Sequence, residues 1–282
     1  MSNRLQNFKA ALHAKPQLGF CSMYPAPGII ERIGQNWDWC WIDAQHGQWG
    51  LDSTIDAVRA CGWAEVFSLV RTPSLDPGVI GKLLDTACHA LMAPMVDTPE
   101  IAGQVVRAAH FAPLGQRSYG GRRPIDLMGR AYAHPENPQP LLICQIETPC
   151  AMDHLDGIAA TPGVDGLFFG PDDMSLARGM PMDQPRPEGC YDAEMAAVAE
   201  AAKRHGKIAG GIFNTPTTLQ RALKLGYRLI VGSGDVPLLS THSAAAAKQL
   251  HGVLADPTSS DNSQTPKVSS PPIPRKYAGY FP

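Results

Sequence analysis

The sequence predicts an α/β chain folded as a (β/α)8 barrel. Eight short apolar runs recur along it, each four to seven residues long. That length suits strands buried on both faces and is too short for core helices. Stretches with helical spacing separate the runs. The main rival, a doubly wound dinucleotide fold, should carry a Gly-rich turn after its first strand. Ser22-Met23-Tyr24-Pro25 stands there instead.

The predicted strands are, in order, Leu18–Met23, Asp38–Asp43, Val66–Val70, Ala90–Met95, Leu141–Glu147, Asp165–Phe169, Lys207–Ile212 and Arg228–Val231. Helical spacing appears over Leu51–Cys61, Thr98–Ala109, Cys190–His205, Pro216–Leu225 and Val236–Leu250. Three of these follow helix-start chemistry: Asp52-Ser53-Thr54, Asp97-Thr98-Pro99 and Asn214-Thr215-Pro216. Two segments fall outside the pattern. Pro113–Pro140 is a long Gly- and Arg-rich connection, the kind usually kept for function. Ala255–Pro282 holds six prolines and five serines and little that could fill a core. The expected organisation is a barrel domain over residues 1–254 and an extended tail over 255–282.

Composition narrows the function. The 24 basic and 26 acidic residues leave a net charge of −2, so no polycationic face for nucleic acid is expected. No apolar run approaches the ~18 residues of a membrane span. Met1–Lys15 has no apolar signal core. The seven cysteines are scattered without a CxxC, which reads as reduced thiols in a cytoplasmic protein.

A barrel works at the C-terminal ends of its strands. Four predicted ends deliver polar side chains: Asp43 and His46 after the second strand, Arg71 after the third, Gln145 and Glu147 at the fifth, and Asp172 and Asp173 after Gly170-Pro171 at the sixth. Two carboxylates, Glu147 and Asp173, are able to share a hard divalent cation and leave it room for water and substrate, the habit of Mg²⁺ and Mn²⁺. A 2-oxo acid would suit such a cation, with enolate formation favoured by its charge. Arg71 is placed to hold a carboxylate or an oxyanion. Backbone amides near Gly170–Asp173 add donors. His46, oriented by Asp43 three residues earlier, is the expected proton carrier. No predicted strand end carries a lysine, so Schiff-base chemistry lacks its nucleophile. Neither a nucleotide nor pyridoxal phosphate (PLP) is expected.

Read together, Trp41-Ile42-Asp43-Ala44-Gln45-His46-Gly47, Val70-Arg71-Thr72-Pro73, Ala93–Thr98, Gln145-Ile146-Glu147-Thr148, Gly166–Ser175 and Val231-Gly232-Ser233-Gly234-Asp235 resemble the HpcH/HpaI family of class II, metal-dependent pyruvate aldolases. The resemblance runs from about Leu18 to Leu239. It implies a (β/α)8 barrel that cleaves 4-hydroxy-2-oxo acids to pyruvate and an aldehyde, and a homo-oligomer, commonly a hexamer, with the last helix often exchanged between neighbours. It implies Glu147 and Asp173 as ligands of Mg²⁺, Mn²⁺ or Co²⁺, with Gln145 nearby. Arg71 would bind the pyruvate moiety, Asp43 and His46 would form the acid/base dyad, and Gly170-Pro171-Asp172 would receive the pyruvate carboxylate. Asp85 falls where the family places an interface carboxylate near a neighbour's site. Gln45 replaces a glutamate common in the family. Phe20 stands where many members have tryptophan, and Phe213 where the aldehyde pocket is shaped. Arg123, on the long loop, is the candidate contact to the distal end of the substrate. An oxaloacetate decarboxylase or enolate-using synthase on the same groups is the near alternative. A non-catalytic oxo-acid-binding barrel is the remote one.

Overall fold

The computed structural model describes residues 2–255. Its centre is a closed barrel of eight parallel strands in chain order: β1 (Gln17–Ser22), β2 (Trp39–Asp43), β3 (Phe67–Arg71), β4 (Ala90–Ala93), β5 (Leu141–Ile146), β6 (Gly166–Phe169), β7 (Ile208–Ile212) and β8 (Leu229–Gly234). Each predicted run holds its strand, displaced by a few residues at most. The expected architecture is therefore the observed one.

Helices alternate with the strands: α1 (Ser2–Ala14), α2 (Pro27–Ile33), α3 (Leu51–Ala64), α4 (Pro77–Leu84), α5 (Pro99–Ala109), α6 (Arg122–Met128), α7 (Pro149–Asp153), α8 (Leu155–Ala160), α9 (Pro171–Ala177), α10 (Asp192–Arg204), α11 (Pro216–Leu225) and α12 (Asp235–Ala255). Their starts follow the expected capping chemistry. Thr98 accepts the Ile101 amide at α5, and Thr215 accepts the Thr218 amide at α11, each ahead of a proline. α3 starts at Leu51 as the spacing predicts, with its cap two residues before Asp52. Gly50 is the cap, and the Ser53 hydroxyl accepts its amide at 2.9 Å. Among the described residues no helix is long and apolar enough to cross a membrane. Apart from Ala255, the Pro/Ser-rich segment expected as a tail lies outside the described residues.

Strand alternation sorts the side chains into two cores. One lies between sheet and helices and includes Phe20, Ile42, Val70, Cys144 and Phe169. The other fills the lumen. At the strand starts it includes Trp39, Leu141, Ile208 and Leu229, packed with Phe8 and Leu12 of α1, both fully buried. Phe8 stacks on Phe67 with ring centroids 4.4 Å apart. Removing two such side chains from water is worth about 1.5–3 kcal/mol each. This explains why a helix with little amphipathic patterning docks at all. Above this layer Trp41 and Phe168 meet edge to face at 5.5 Å. The next inward position up the lumen is polar on β2, β3 and β5: Asp43, Arg71 and Gln145.

The long connection Pro113–Pro140 is ordered. It contains α6 and a short 3-10 turn at Arg130–Ala133. Tyr132 knits it together, donating to the Gly120 carbonyl at 2.6 Å and packing on Phe111 and Tyr119. Because it joins a helix to the start of β5, it lies at the N-terminal foot of the barrel, not at the working rim.

Candidate active site

Asp43 and Arg71 are partners across the β2–β3 ladder. Their side chains meet in a two-pronged ion pair: Arg71 Nε donates to Asp43 Oδ1 at 2.9 Å, and an Nη donates to Oδ2 at 2.5 Å. Both are almost wholly buried. The guanidinium lies over the Trp41 ring, 4.7 Å from its centroid, and donates to Gln145 Oε1 at 3.4 Å. An aromatic floor, a carboxylate and an amide thus hold one planar cation, the arrangement for which arginine is suited and lysine is not. The remaining oxygen capacity of Asp43 goes to the amides of Gln45 at 3.1 Å and His46 at 3.3 Å.

Asp43 orients His46 through the main chain. Asp43 orients Arg71 and the backbone of the following turn. It makes no bond to the His46 imidazole, which is exposed at the rim. The residue spacing was right for contact, but the contact is to the main chain.

Glu147, just past β5, is 2% exposed. Its Oε1 accepts the Met95 amide at 2.8 Å. Burial pushes its carboxyl up to about 7. The Met95 bond and Arg71 oppose that rise, while the adjacent Asp173 adds to it. Met95 carries a left-handed backbone, φ 53°, costly for a side chain of this kind and often found where function holds it. In the sequence Met95 stands only as one residue of the Ala93–Thr98 motif. Its role depends on a backbone angle that residue type does not announce.

Gly170, which follows β6, lies against this carboxylate. A Cβ there would fall 2.8 Å from both Glu147 Oε2 and Gln145 Nε2. Gly170→Ala is expected to displace Glu147 and weaken divalent-metal binding at least ~10-fold, with the fold retained. Calorimetric titration with Mn²⁺ measures this; unchanged affinity would show that Glu147 can give way freely. Beyond Gly170, α9 starts with no side-chain cap. The Asp172 side chain turns aside to pair with Arg186, and Arg186 Nε also donates to Ser175 Oγ at 2.9 Å.

The donor set fits a hard divalent cation. Glu147 and Asp173 supply oxygen only, and two carboxylates this close, one of them buried, favour a shared counter-charge. Among the described residues no group of three or more His, Cys, Asp and Glu forms a metal cluster. A cation here would keep most of its coordination for water and substrate.

Two expected contacts, Phe20 and Arg123, lie elsewhere. Phe20 follows the outward parity of β1, so its fully buried ring packs on Trp37 in the helix layer, away from the lumen. Arg123 is at the barrel foot, where its Nε donates to the Thr86 carbonyl at 2.9 Å. It cannot reach the rim of its own chain. Asp85 is also at the foot, paired with Arg117 at 2.7 Å. Phe213 is intermediate: buried, edge-on to Tyr227 at 4.9 Å, and lining a cavity of about 700 Å³ that runs past Asn214 and Tyr191 to Pro171 and Asp172.

Polar chemistry gathered at the C-terminal rim, above an apolar lumen, marks the molecule as a TIM-barrel enzyme. Comparison with known proteins makes the class particular. Residues 27–240 match the model of the HpcH/HpaI aldolase/citrate lyase family, and the chain belongs to that family. It is a lyase of the aldolase type. A 4-hydroxy-2-oxovalerate aldolase of Novosphingobium aromaticivorans is 36% identical over 83% of this chain and 90% of its own length. A hydroxypyruvate/pyruvate aldolase of Agrobacterium fabrum is 32% identical over 90% of this chain and 97% of its own. Among solved structures, a HpcH/HpaI aldolase/citrate lyase family protein from Burkholderia cenocepacia superposes with a TM-score of 0.79 at 29% identity, over 87% of this chain and 99% of that one.

Proposed function

We propose that this enzyme cleaves 4-hydroxy-2-oxo acids to pyruvate and an aldehyde, and runs the reverse addition. The observation that carries the reading is the Arg71 fork, locked by Asp43 over Trp41 and set beside the buried Glu147 and its neighbour Asp173. Arg71 holds the oxygen on which negative charge develops as the C3–C4 bond breaks. The uncapped first turn of α9 offers amides to the substrate carboxylate. His46 takes the proton of the C4 hydroxyl as the aldehyde carbonyl forms, and a proton delivered to C3 then converts the enolate to pyruvate. The Trp41–Phe168 floor keeps water from beneath the reacting atoms. A divalent cation on Glu147 and Asp173, Mg²⁺, Mn²⁺ or Co²⁺, supplies the positive charge that favours the enolate.

One observation favours a second reading. The enolate-stabilising groups are rigidly built, whereas the His46 imidazole is not fixed by Asp43. Decarboxylation of oxaloacetate needs only the former. Both readings concern small molecules in the cytoplasm, a location consistent with seven free cysteines. The exposed Leu239, Leu250, Val253 and Leu254 of α12 support a homo-oligomer, in keeping with a hexamer in which Asp85 serves a neighbour's site.

The test is pyruvate release from a panel of 4-hydroxy-2-oxo acids and from oxaloacetate, using metal-stripped protein with and without each cation. Metal-dependent pyruvate is expected. His46→Ala is expected to slow cleavage ~10²–10⁴-fold and to spare decarboxylation. No pyruvate from any substrate with any of the three cations would overturn the proposal.

A further inference from the structure

We propose that Asp235 is the positioning residue for His46, acting through the turn between β1 and α2; the inference rests on His46 being the base. Asp235 opens α12 and is completely buried. It accepts hydrogen bonds from neutral donors only. Its Oδ1 takes the amides of Val236 at 2.8 Å and Met23 at 3.0 Å. Its Oδ2 takes Met23 at 2.9 Å, Tyr24 at 3.0 Å and the Ser22 hydroxyl at 3.3 Å. The Val236 bond is to the next residue, not to the N2 or N3 amide that a helix cap takes, so starting α12 does not account for this carboxylate. The other three donors, Ser22, Met23 and Tyr24, lie at and just past the end of β1.

The β1–β8 ladder explains why they are needed. It is irregular between Gly19 and Phe20, and its last pair is Cys21 with Gly234. Beyond that pair the Asp235 carboxylate takes over from the backbone and fixes Met23 and Tyr24. The same turn then holds the loop that bears His46. The Met23 carbonyl accepts the Gln48 amide at 2.7 Å, and the Ser22 carbonyl accepts the Trp49 indole at 3.0 Å. Gly47 lies between the two anchors, where a Cβ would stand 2.1 Å from the Asp43 carbonyl oxygen and 3.1 Å from that of Met23. The His46 loop is therefore clamped on one side by the Asp43 carboxylate and on the other by a turn whose place Asp235 sets. Asp43 shares its clamp with Arg71; Asp235 serves the loop and not the cation.

Asp235→Asn turns an acceptor into a donor facing amide donors, and Ser22→Ala removes one donor mildly. Each is compared with wild type, His46→Ala and Glu147→Gln in two measurements. The first is kcat for aldol cleavage against kcat for oxaloacetate decarboxylation, both with Mn²⁺. The second is amide hydrogen exchange in the metal-free proteins. In Asp235→Asn, cleavage is expected to fall ~10–100-fold, as misplacement of a catalytic group implies. Decarboxylation should stay within about 3-fold. Exchange should rise in residues 22–25 and 44–49 and not in 141–177. Ser22→Ala should move both readouts the same way, less far, and carries the test if Asp235→Asn does not fold. Equal loss of both reactions, exchange rising throughout the barrel, or unchanged exchange at 44–49 would overturn the proposal. Cleavage intact in His46→Ala would overturn the base on which it rests, and metal-dependent pyruvate intact in Glu147→Gln would overturn the aldolase reading itself.

Discussion

Replacing Arg71 with methionine is expected to cut pyruvate release at least ~10³-fold, the scale of losing a charge-stabilising group at a reacting oxygen. It should also destabilise the fold by about 3–5 kcal/mol. The two losses have different causes. Activity goes because the developing oxyanion loses its guanidinium. Stability goes because the Asp43 carboxyl group, 1% exposed, is left with only two long amide bonds to satisfy it. The double variant Asp43→Asn/Arg71→Met separates them. It removes both charges, so most of the stability should return and none of the activity. Arg71→Lys keeps a charge but not the fork or the flat stack on Trp41, and should fall between. Urea unfolding and kcat/KM on the four proteins measure this. A single variant as stable as the double one would mean that the buried pair is not coupled.

The second large effect concerns Glu147. Glu147→Gln should lower metal-dependent activity ~10²-fold or more and, without metal, make the protein more stable than wild type at pH 8. The sign follows from the direction of the shift. The carboxyl titrates near 4.5 when unfolded and at about 7 when folded. Its contribution to stability is therefore complete below pH about 4.5 and is lost as the pH rises through 7. On the order of 3 kcal/mol separates the two limits. Glutamine never acquires the charge, so the two proteins should melt together near pH 4.5 and diverge by pH 8. Saturating Mn²⁺ reverses the order, because only wild type gains binding free energy. Thermal melts at both pH values, with EDTA and with Mn²⁺, decide it. A wild type that stays the more stable at pH 8 in EDTA would contradict the burial of this group.

Much of this site is legible in the sequence because a strand's period of two is strict. Trp39, Trp41 and Asp43, or Leu141, Ile143 and Gln145, must share a face, so a polar residue ending an apolar run lands on the rim. The same rule places Phe20 outside, between Gly19 and Cys21, although resemblance alone draws it into the pocket. Arg123 goes astray for a topological reason: a helix-to-strand loop returns to the foot of a parallel barrel. The partner of Asp43 is less accessible. Spacing suggests His46, three residues on. The true partner comes from the neighbouring strand, and only the β2–β3 register reveals it. Met95 and Asp235 act through a backbone angle and through main-chain donors, neither of which is written in residue types.

Among the described residues, the side chains that fill the lumen, with Phe8 and Leu12 beneath them, leave the barrel open at its rim. Under the proposed chemistry, traffic through that one doorway would be sequential: the fragment lodged against the tryptophan floor would arrive before its partner and depart after it. An ordered cycle, with the carboxylate-bearing fragment innermost, is then the expected kinetic consequence of a closed barrel foot.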